Sequence, residues 1–145
     1  MNLAIALIPY GQLAYVVPGL MPYLEKSKAW TKGRANIDDI IGFLYSGKMS
    51  LWLVYDDELA GHGYVITEVK QYPRCKMLTI QYCAGEPNEM KYVEDKMYET
   101  LESFAKDAGC TGIEFFGRPG WGAHTKKRGY DVQTVVYERF FGDAT

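Results

Sequence analysis

Three side chains that can accept a proton near neutral pH lie in predicted strands: His62, Glu68 and Glu114. An imidazole or carboxylate acts as a general base when a substrate proton comes within hydrogen-bond reach. Single polar residues are also common in ordinary strands, so each of the three is a candidate only. Tyr130 is a further candidate, but its position after Gly129 is typical of an aromatic side chain packed in a core.

The remaining histidine and the cysteines do not form a recognisable site. His62 and His124 are far apart in the chain and belong to no H-x-x-x-H or Cys/His cluster, so the sequence predicts no metal site. The three cysteines lack C-x-x-C spacing, which favours reduced thiols over a disulfide framework. Cys83 or Cys110 could imitate a thiol nucleophile beside a histidine, but a buried structural cysteine is the more common state.

Length and composition predict one globular domain. The 145 residues suffice for one hydrophobic core, and 48% hydrophobic with 23% charged residues is ordinary for a folded protein. Aromatic residues make up 14% of the chain, which suits protein interfaces as well as cores. The net charge of −2 gives no long-range attraction to nucleic acid or to an anionic membrane. Pro9, Gly11 and Pro18 interrupt the apolar N-terminal run, so we expect neither a signal peptide nor a membrane span.

Hydrophobic periodicity predicts a mixture of strands and helices. Strands are predicted at 3–8, 51–55, 60–70, 77–82, 112–116 and 132–140. Helices are predicted after Gly11, after Asn36, after the loop at 85–88 and around 121–127. The resulting order, β-α-α-β-β-β-α-β-α-β, predicts an α+β fold with a mixed, mostly antiparallel central sheet and helices on both faces.

Individual residues are expected to set the ends and irregularities of these elements. Asn36 should cap the second helix, and Gly109 should end the long third helix. Pro22 should interrupt the first helix, because proline lacks the N–H that the helix needs. Gly61 and Gly63 should mark a bulge or a close approach in the long strand.

Several short segments carry a resemblance that covers nearly the whole chain. They are Pro22–Lys26, Leu44–Gly47 with Leu51–Val54, Tyr72–Arg74 and Gly117–Trp121. With the order of elements, they resemble the GNAT superfamily of N-acetyltransferases and, more narrowly, a family of small GNAT-like proteins of tailed bacteriophages. The resemblance implies a single GNAT-like domain over residues 1–145. It also implies a place among virion proteins, since some members are described as internal virion or acetyltransferase-like proteins.

The resemblance also directs attention to the segment after the fourth strand. In catalytic GNAT proteins a Q/R-x-x-G-x-G/A loop binds the pyrophosphate of acetyl-CoA through backbone N–H groups at a helix N-terminus. The corresponding segment here contains Gly85, Glu86, Asn88 and Lys91. It has one glycine, and its carboxylates repel a pyrophosphate more than one lysine attracts it. The resemblance therefore implies a degenerate donor loop and no cofactor.

A second departure concerns the acid that protonates the leaving thiolate. In the family this acid is often a tyrosine four residues before the glycine of a Y-x-x-x-G-F/Y ending. Here that position holds Thr125, before Gly129. A threonine hydroxyl is far too weak an acid for this role.

A basic segment and a glycine-proline corner are the candidate contact surfaces. The candidate partner-binding residues are Arg118, Trp121, Lys126, Lys127 and Arg128. Cations at the end of a short helix can equally be a solvated face that complements the helix dipole. Trp121 can anchor the helix against the sheet or insert into a pocket of a partner.

These features together predict a non-catalytic or degenerate GNAT-fold phage protein. It would act as a virion component or assembly factor by contacting other virion proteins in a homo-oligomeric or symmetric assembly. Its expected location is the virion, and the host cytoplasm during assembly. No membrane or nucleic-acid partner is expected. The alternative is an N-acetyltransferase that uses acetyl-CoA.

Overall fold

A computed structural model describes residues 1–26, 34–86, 88–116 and 125–142 of the chain. Its contacts define two compact units, Met1–Glu114 and Phe115–Thr145, which we describe separately. The predicted organisation as one GNAT-like domain stays a prediction.

The elements of the first unit follow the predicted order up to the fifth strand. They are β1 (Ala4–Leu7), α1 (Leu13–Lys26), α2 (Ile37–Tyr45), β2 (Ser50–Tyr55), β3 (Gly61–Gln71), β4 (Lys76–Gly85), α3 (Glu94–Asp107) and β5 (Gly112–Phe115), the last residue of which begins the second unit. Short 3-10 turns precede α1 at Tyr10–Gln12 and α3 at Met90–Tyr92.

The five strands form one mixed sheet in the order β1-β2-β3-β4-β5. The first four strands pair antiparallel. Two contacts give the direction of β5 relative to β4. The N–H of Thr111 donates to the carbonyl of Lys76 at 2.8 Å, and three residues later in both segments the hydroxyl of Thr79 donates to Glu114 at 2.8 Å. β5 therefore runs parallel to β4, which confirms the predicted mixed, mostly antiparallel sheet.

Helices cover both faces of the sheet. Leu51 and Ile66 belong to the core cluster formed with α1 and α2. Trp52, the next residue along β2, points the other way, and its ring packs edge-on against Phe104 of α3 with centroids 5.1 Å apart. Since neighbouring strand residues face opposite sides, α3 lies across the sheet from α1 and α2.

Two register shifts interrupt the strand pairing. Val54 and Tyr55 face Gly63 and Gly61, so His62 is an extra residue in β3. This confirms the bulge predicted from the two glycines. Where β3 and β4 pair, Ile66 faces Tyr82 and Thr67 faces Ile80, so that Gln81 is an extra residue in β4. No local signal in the sequence predicts this second bulge.

Local signals set the ends of two helices as expected. The Asn36 side chain accepts a hydrogen bond from the N–H of Asp39 at 2.8 Å, and Asp39 accepts one from the N–H of Asn36 at 3.0 Å. This reciprocal capping box starts α2. After α3, Gly109 has a φ of +81°, a conformation that glycine adopts without strain.

The predicted interruption at Pro22 is wrong. α1 runs unbroken through both Pro18 and Pro22. The apolar face of the helix explains the difference: Leu20 and Leu24 are fully buried in the core on either side of Pro22. Burial of two leucines stabilises the helix by several kcal/mol, roughly 1.5–3 for each side chain, and so offsets the loss at a proline.

The predicted last strand is also wrong. Residues 132–140 of the second unit form no strand, and all of them are exposed. Valine and aromatic residues such as Val136 and Tyr137 favour strands, but that preference reflects packing against neighbours on a sheet. The predicted helix around 121–127 lies largely outside the described residues.

None of the helices in the described parts of the chain is both long and apolar enough to cross a membrane.

Candidate active site

Five polar side chains connect β3, β4 and β5, and we call them the polar row. They are Glu68, Gln81, Thr79, Glu114 and Tyr72, the last from the turn between β3 and β4. Glu68 and Thr79 face each other directly across the β3–β4 pair. Residues two apart in a strand share a face of the sheet, so Glu68 lies on the same face as Ile66. That is the face on which Ile66 packs with α1 and α2.

Glu114 is the most firmly positioned carboxylate of the polar row. It accepts hydrogen bonds from the hydroxyl of Thr79, at 2.8 Å, and from the hydroxyl of Tyr72. Thr79 is fully buried, so its hydroxyl has few other partners. The hydrogen bond to Glu114 raises the pKa of Tyr72, and desolvation adds to the effect. Tyr72 therefore stays protonated at neutral pH, and its hydroxyl donates the hydrogen bond that holds Glu114.

Glu68 lies on the same polar row. Its Oε1 accepts a hydrogen bond from Nε2 of Gln81 at 3.0 Å, and Gln81 is the bulged residue of β4. The structure thus brings two of the predicted bases, Glu68 and Glu114, to neighbouring positions around β4. Each of them is half-buried and can reach a substrate on that face.

β4 continues past the end of β5 beside this row. Because Thr111 lies opposite Lys76 and Glu114 beside Thr79, β5 ends close to Ile80. Residues 81–85 of β4 run on beyond it. A bulge bends a strand and increases its twist. The polar row therefore lies at the end of β5, the point beyond which β4 continues without it.

His62 lies at a different place, where it joins two loops. Its Nε2 is 2.7 Å from Oδ2 of Asp56, in the turn after β2, and its Nδ1 is 2.6 Å from Oε2 of Glu89, after β4. Hydrogen bonds to Asp56 and then to Glu89 raise the pKa of His62. The hydrogen bond with His62 is the main cause that lowers the pKa of Asp56. Both ring nitrogens of His62 are engaged with carboxylates, so the imidazole acts as a structural clamp between the two loops and has no nitrogen left to accept a substrate proton.

The segment between β4 and α3, residues 86–93 without 87, is the position of the predicted donor loop. Four of its backbone N–H groups are engaged within the protein. Those of Glu89, Tyr92 and Val93 donate to carbonyls of the same turn at 3.0–3.2 Å. The N–H of Glu86 donates to the carbonyl of His62 at 3.0 Å. A phosphate needs free N–H groups that point at it.

Side chains of the same segment are engaged as well. Glu86 accepts a hydrogen bond from the hydroxyl of Tyr23 in α1. Burial and the hydrogen bond to Glu86 raise the pKa of Tyr23, so it remains a donor. The ammonium group of Lys91 lies over the ring of Tyr92, 5.2 Å from its centroid. Asn88, at a φ of +67°, turns the chain toward α3.

The residues of this segment do not fit the diphosphate of coenzyme A. Glu86 and Glu89 precede α3, and Glu94 and Asp95 occupy its first turn. These carboxylates interact with the positive end of the helix dipole and so reduce its attraction for a further anion. The degenerate donor loop inferred from Gly85, Glu86, Asn88 and Lys91 stays a prediction.

The other predicted sites fall outside the polar row. Burial raises the pKa of the Cys83 thiol to about 11, so it is not a thiolate at neutral pH. Tyr130 belongs to the second unit, where its ring packs against Phe115 with centroids 5.6 Å apart. In that unit Thr125 is buried, and its carbonyl accepts hydrogen bonds from two later N–H groups of the same turn.

The predicted partner surface is only partly described. Lys126 and Lys127 are exposed and Arg128 is half-buried. Arg118 and Trp121 lie outside the described residues, as does His124. The role of this basic segment in binding a partner stays a prediction. Within the described ranges, no group of three or more His, Cys, Asp or Glu side chains is arranged to hold a metal ion.

This chain resembles known proteins in its structure and not in its sequence. No protein-family model matches the sequence, and no curated protein matches it. A putative acetyltransferase from Pyrococcus furiosus superposes with a TM-score of 0.74 at 14% identity, over 97% of this chain and 100% of the other. This chain has a GNAT-like fold. Glucosamine-6-phosphate N-acetyltransferase from Arabidopsis thaliana gives 0.68 at 11% identity, over 98% and 100% of the two chains.

A third neighbour was solved with a ligand. AAC(6')-Iy, in complex with the bisubstrate analogue CoA-S-monomethyl-acetylneamine, superposes with a TM-score of 0.66 at 13% identity, over 98% of this chain and 100% of that one. At these identities the likeness shows the fold.

The comparisons overturn the main functional prediction. A non-catalytic virion component or assembly factor was expected, but the structural neighbours are acetyltransferases, one of them solved with a coenzyme A analogue. That prediction is wrong, and these neighbours favour the alternative, an N-acetyltransferase. The expectation of no cofactor likewise finds no support. Nothing links the chain to a phage family, and the expected virion partners and virion location are untested.

Proposed function

We propose that this chain is an N-acetyltransferase that moves an acetyl group from a thioester, such as acetyl-CoA, to an amine. The observation that carries the proposal is the Glu114 carboxylate, fixed by Thr79 and Tyr72 where β4 continues past β5. A GNAT-like fold supports it, since several solved proteins of this fold are acetyltransferases.

Glu114 has the properties of a general base. An amine is mostly protonated at neutral pH and must lose a proton before its nitrogen can attack a carbonyl carbon. The Thr79 and Tyr72 hydroxyls occupy lone pairs of Glu114 and fix its orientation. Its remaining lone pairs can accept the proton directly or through one water.

Glu68 and Glu114 together favour a cationic acceptor. Their two carboxylates lie on the same polar row, on either side of β4. Half-buried carboxylates attract an ammonium group more strongly than fully solvated ones, because the local dielectric is lower. Glu68 then attracts the ammonium group of the acceptor, and Glu114 takes the proton that this group must lose before its nitrogen attacks.

The outer edge of β4 supports binding of the donor arm. An extended ligand that carries amide groups can add to the edge of a strand through main-chain hydrogen bonds. Residues 81–85 of β4 run beyond β5 and offer that edge next to Glu114. When bound there, a thioester supplies the activated acetyl carbon.

The test is acetyl transfer from acetyl-CoA to a panel of amines: a polyamine, an amino sugar, and peptides with free N-termini. Release of free thiol gives the rate, and mass spectrometry identifies the acetylated amine. We expect one class of amine to be acetylated. We expect Glu114→Gln to lower kcat by about 10²–10⁴-fold, the usual contribution of a general base. Thiol release no faster than without protein, for every amine and both acetyl-CoA and acetyl-pantetheine, would count against the proposal.

A further inference from the structure

We infer that this protein recognises its acetyl donor by the pantetheine arm and the acyl group, and that it does not bind the nucleotide diphosphate of coenzyme A. Thioesters of pantetheine, which lack the nucleotide, are then donors about as good as coenzyme A thioesters. The inference rests on the proposed acetyltransferase function and adds the class of donor. It is carried by the segment between β4 and α3.

Carboxylates occupy the place where a diphosphate would approach α3. Glu89 is fixed 2.6 Å from His62, and Glu86 is fixed by the hydroxyl of Tyr23. Neither side chain can swing away without breaking a charge-assisted hydrogen bond, which is among the stronger kinds. A diphosphate would approach two immobilised negative charges.

Four backbone N–H groups of the segment are already bonded within the protein. Those of Glu86, Glu89, Tyr92 and Val93 donate to carbonyls of His62, Glu86, Glu89 and Met90 at 3.0–3.2 Å. A phosphate that used these donors would have to break their bonds. Each exchange removes a protein hydrogen bond that contributes about 0.5–1.5 kcal/mol.

Met90 fills the space above the two glycines at the end of the β3–β4 pair. A Cβ built on Gly85 would lie 2.4 Å from the Met90 sulfur, and one built on Gly63 would lie 3.0 Å from it. The small residues here therefore receive a side chain of the protein itself. In a phosphate-binding loop, small residues would instead let the ligand approach the backbone.

The lysines near the N-terminus of α3 are engaged with the protein. Lys96 donates from Nζ to the carbonyl of Leu3 at 3.1 Å, and the Nζ of Lys91 lies over Tyr92. Both contacts hold the ammonium groups against this chain. To bind a diphosphate directly, each ammonium group would have to leave or share its present contact.

The transfer step needs nothing from the nucleotide. The nitrogen of the neutral amine attacks the thioester carbonyl carbon, a C–N bond forms, and the C–S bond breaks. Glu114 has already taken the ammonium proton, so the second nitrogen proton passes to solvent, and the sulfur leaves as a thiolate that solvent protonates. The products are an amide and free pantetheine, or free coenzyme A when that is the carrier.

The experiment compares the two carriers directly. Steady-state rates are measured with acetyl-CoA and S-acetyl-pantetheine for the best amine of the panel. Calorimetry measures binding of coenzyme A, pantetheine and adenosine 3′,5′-bisphosphate to the same protein. Truncating a substrate normally lowers the rate, because remote binding energy is used at the reacting centre. Here we expect kcat/KM values within about tenfold of each other, similar dissociation constants for coenzyme A and pantetheine, and no binding of the bisphosphate.

Ionic strength and charge variants give a second readout. Salt screens like-charge repulsion. We therefore expect the KM for acetyl-CoA to fall as salt rises and the KM for acetyl-pantetheine to stay constant. Glu86→Gln should lower the KM for acetyl-CoA only. Glu99→Gln, the same charge change in the middle of α3, is the matched control and should alter neither KM.

The outcomes separate the two proposals. If acetyl-CoA is favoured about 100-fold or more, or if the bisphosphate binds, the donor inference fails while the acetyltransferase proposal stands. If neither thioester transfers its acetyl group and neither thiol binds, both fail. If both thioesters react at similar rates, both hold.

Discussion

Nδ1 of His62 lies 2.6 Å from Oε2 of Glu89, so the imidazole joins the bulge of β3 to the segment before α3. Nε2 of the same ring lies 2.7 Å from Asp56. Because both nitrogens face carboxylates, the folded protein favours the protonated ring, and the pKa of His62 is raised. The clamp is therefore sensitive to pH.

The first prediction concerns this pH dependence. A raised pKa means that the His62 contribution is complete below the unfolded pKa, about 6.5, and is lost as pH rises through the folded value. Asp56 has a lowered pKa, so its contribution is lost as pH falls through that value. The free energy of unfolding should decline above neutral pH in the wild type. In His62→Gln this decline should be smaller, as measured by urea unfolding between about pH 5 and 9. Parallel pH profiles of the two proteins would contradict the clamp.

The second prediction concerns the glycines beneath Met90. A Cβ on Gly63 would lie 2.8 Å from the carbonyl oxygen of Ala84, a backbone atom that cannot rotate away. A Cβ on Gly85 meets the Met90 side chain instead. We expect both Gly→Ala changes to destabilise by about 1–3 kcal/mol, as overpacking does. In a Met90→Ala background the penalty of Gly85→Ala should shrink more than that of Gly63→Ala, whose Cβ still meets the Ala84 carbonyl oxygen.

Gly42 supplies the control for these substitutions. A Cβ there has nothing within 4 Å, and the residue lies inside α2. Gly42→Ala should stabilise by about 0.4–1 kcal/mol, because alanine reduces the freedom of the unfolded chain. Thermal or urea unfolding measures all of these variants. Equal penalties for Gly85→Ala with and without Met90 would refute the contact.

The third prediction concerns a buried hydrogen bond on the α3 face. Nε1 of Trp52 donates to the hydroxyl of Thr67 at 3.0 Å, and both residues are buried. Trp52→Phe and Thr67→Val should each destabilise, since an unsatisfied buried partner costs about 1–3 kcal/mol. The double variant should lose less than the sum of the two. Strict additivity in urea unfolding would show that the bond contributes nothing.

The fourth prediction concerns the hydroxyls that hold Glu114. Tyr72→Phe removes a donor to its carboxylate and leaves the carboxylate itself in place. Without this hydrogen bond the carboxylate is free to leave the orientation in which it accepts the proton. Tyr72→Phe should therefore lower kcat, with a smaller loss of rate than in Glu114→Gln. Tyr10→Phe, at an exposed tyrosine of the 3-10 turn before α1, is the control and should keep the wild-type kcat. A wild-type kcat in Tyr72→Phe would remove Tyr72 from the site.

Local patterns in the sequence predicted most of the fold. The capping box at Asn36, the glycine after α3, and the bulge at Gly61 and Gly63 depend on interactions within a few residues. Such signals are present in the sequence itself. The failure at Pro22 had the opposite cause, because burial of α1 against the sheet outweighed the local preference of proline.

The sequence by itself determined the order of strands and helices up to β5, the polar candidates and the acidic character of the segment after β4. Only the tertiary structure decided which candidates belong together. Glu114 reaches Thr79 and Tyr72, which are 35 and 42 residues away, and His62 reaches Glu89 across 27 residues. Contacts at such separations depend on strand register and on the crossover through α3. They carry no local periodicity, so the same residues were isolated candidates in the sequence and form a polar row and a clamp in the fold.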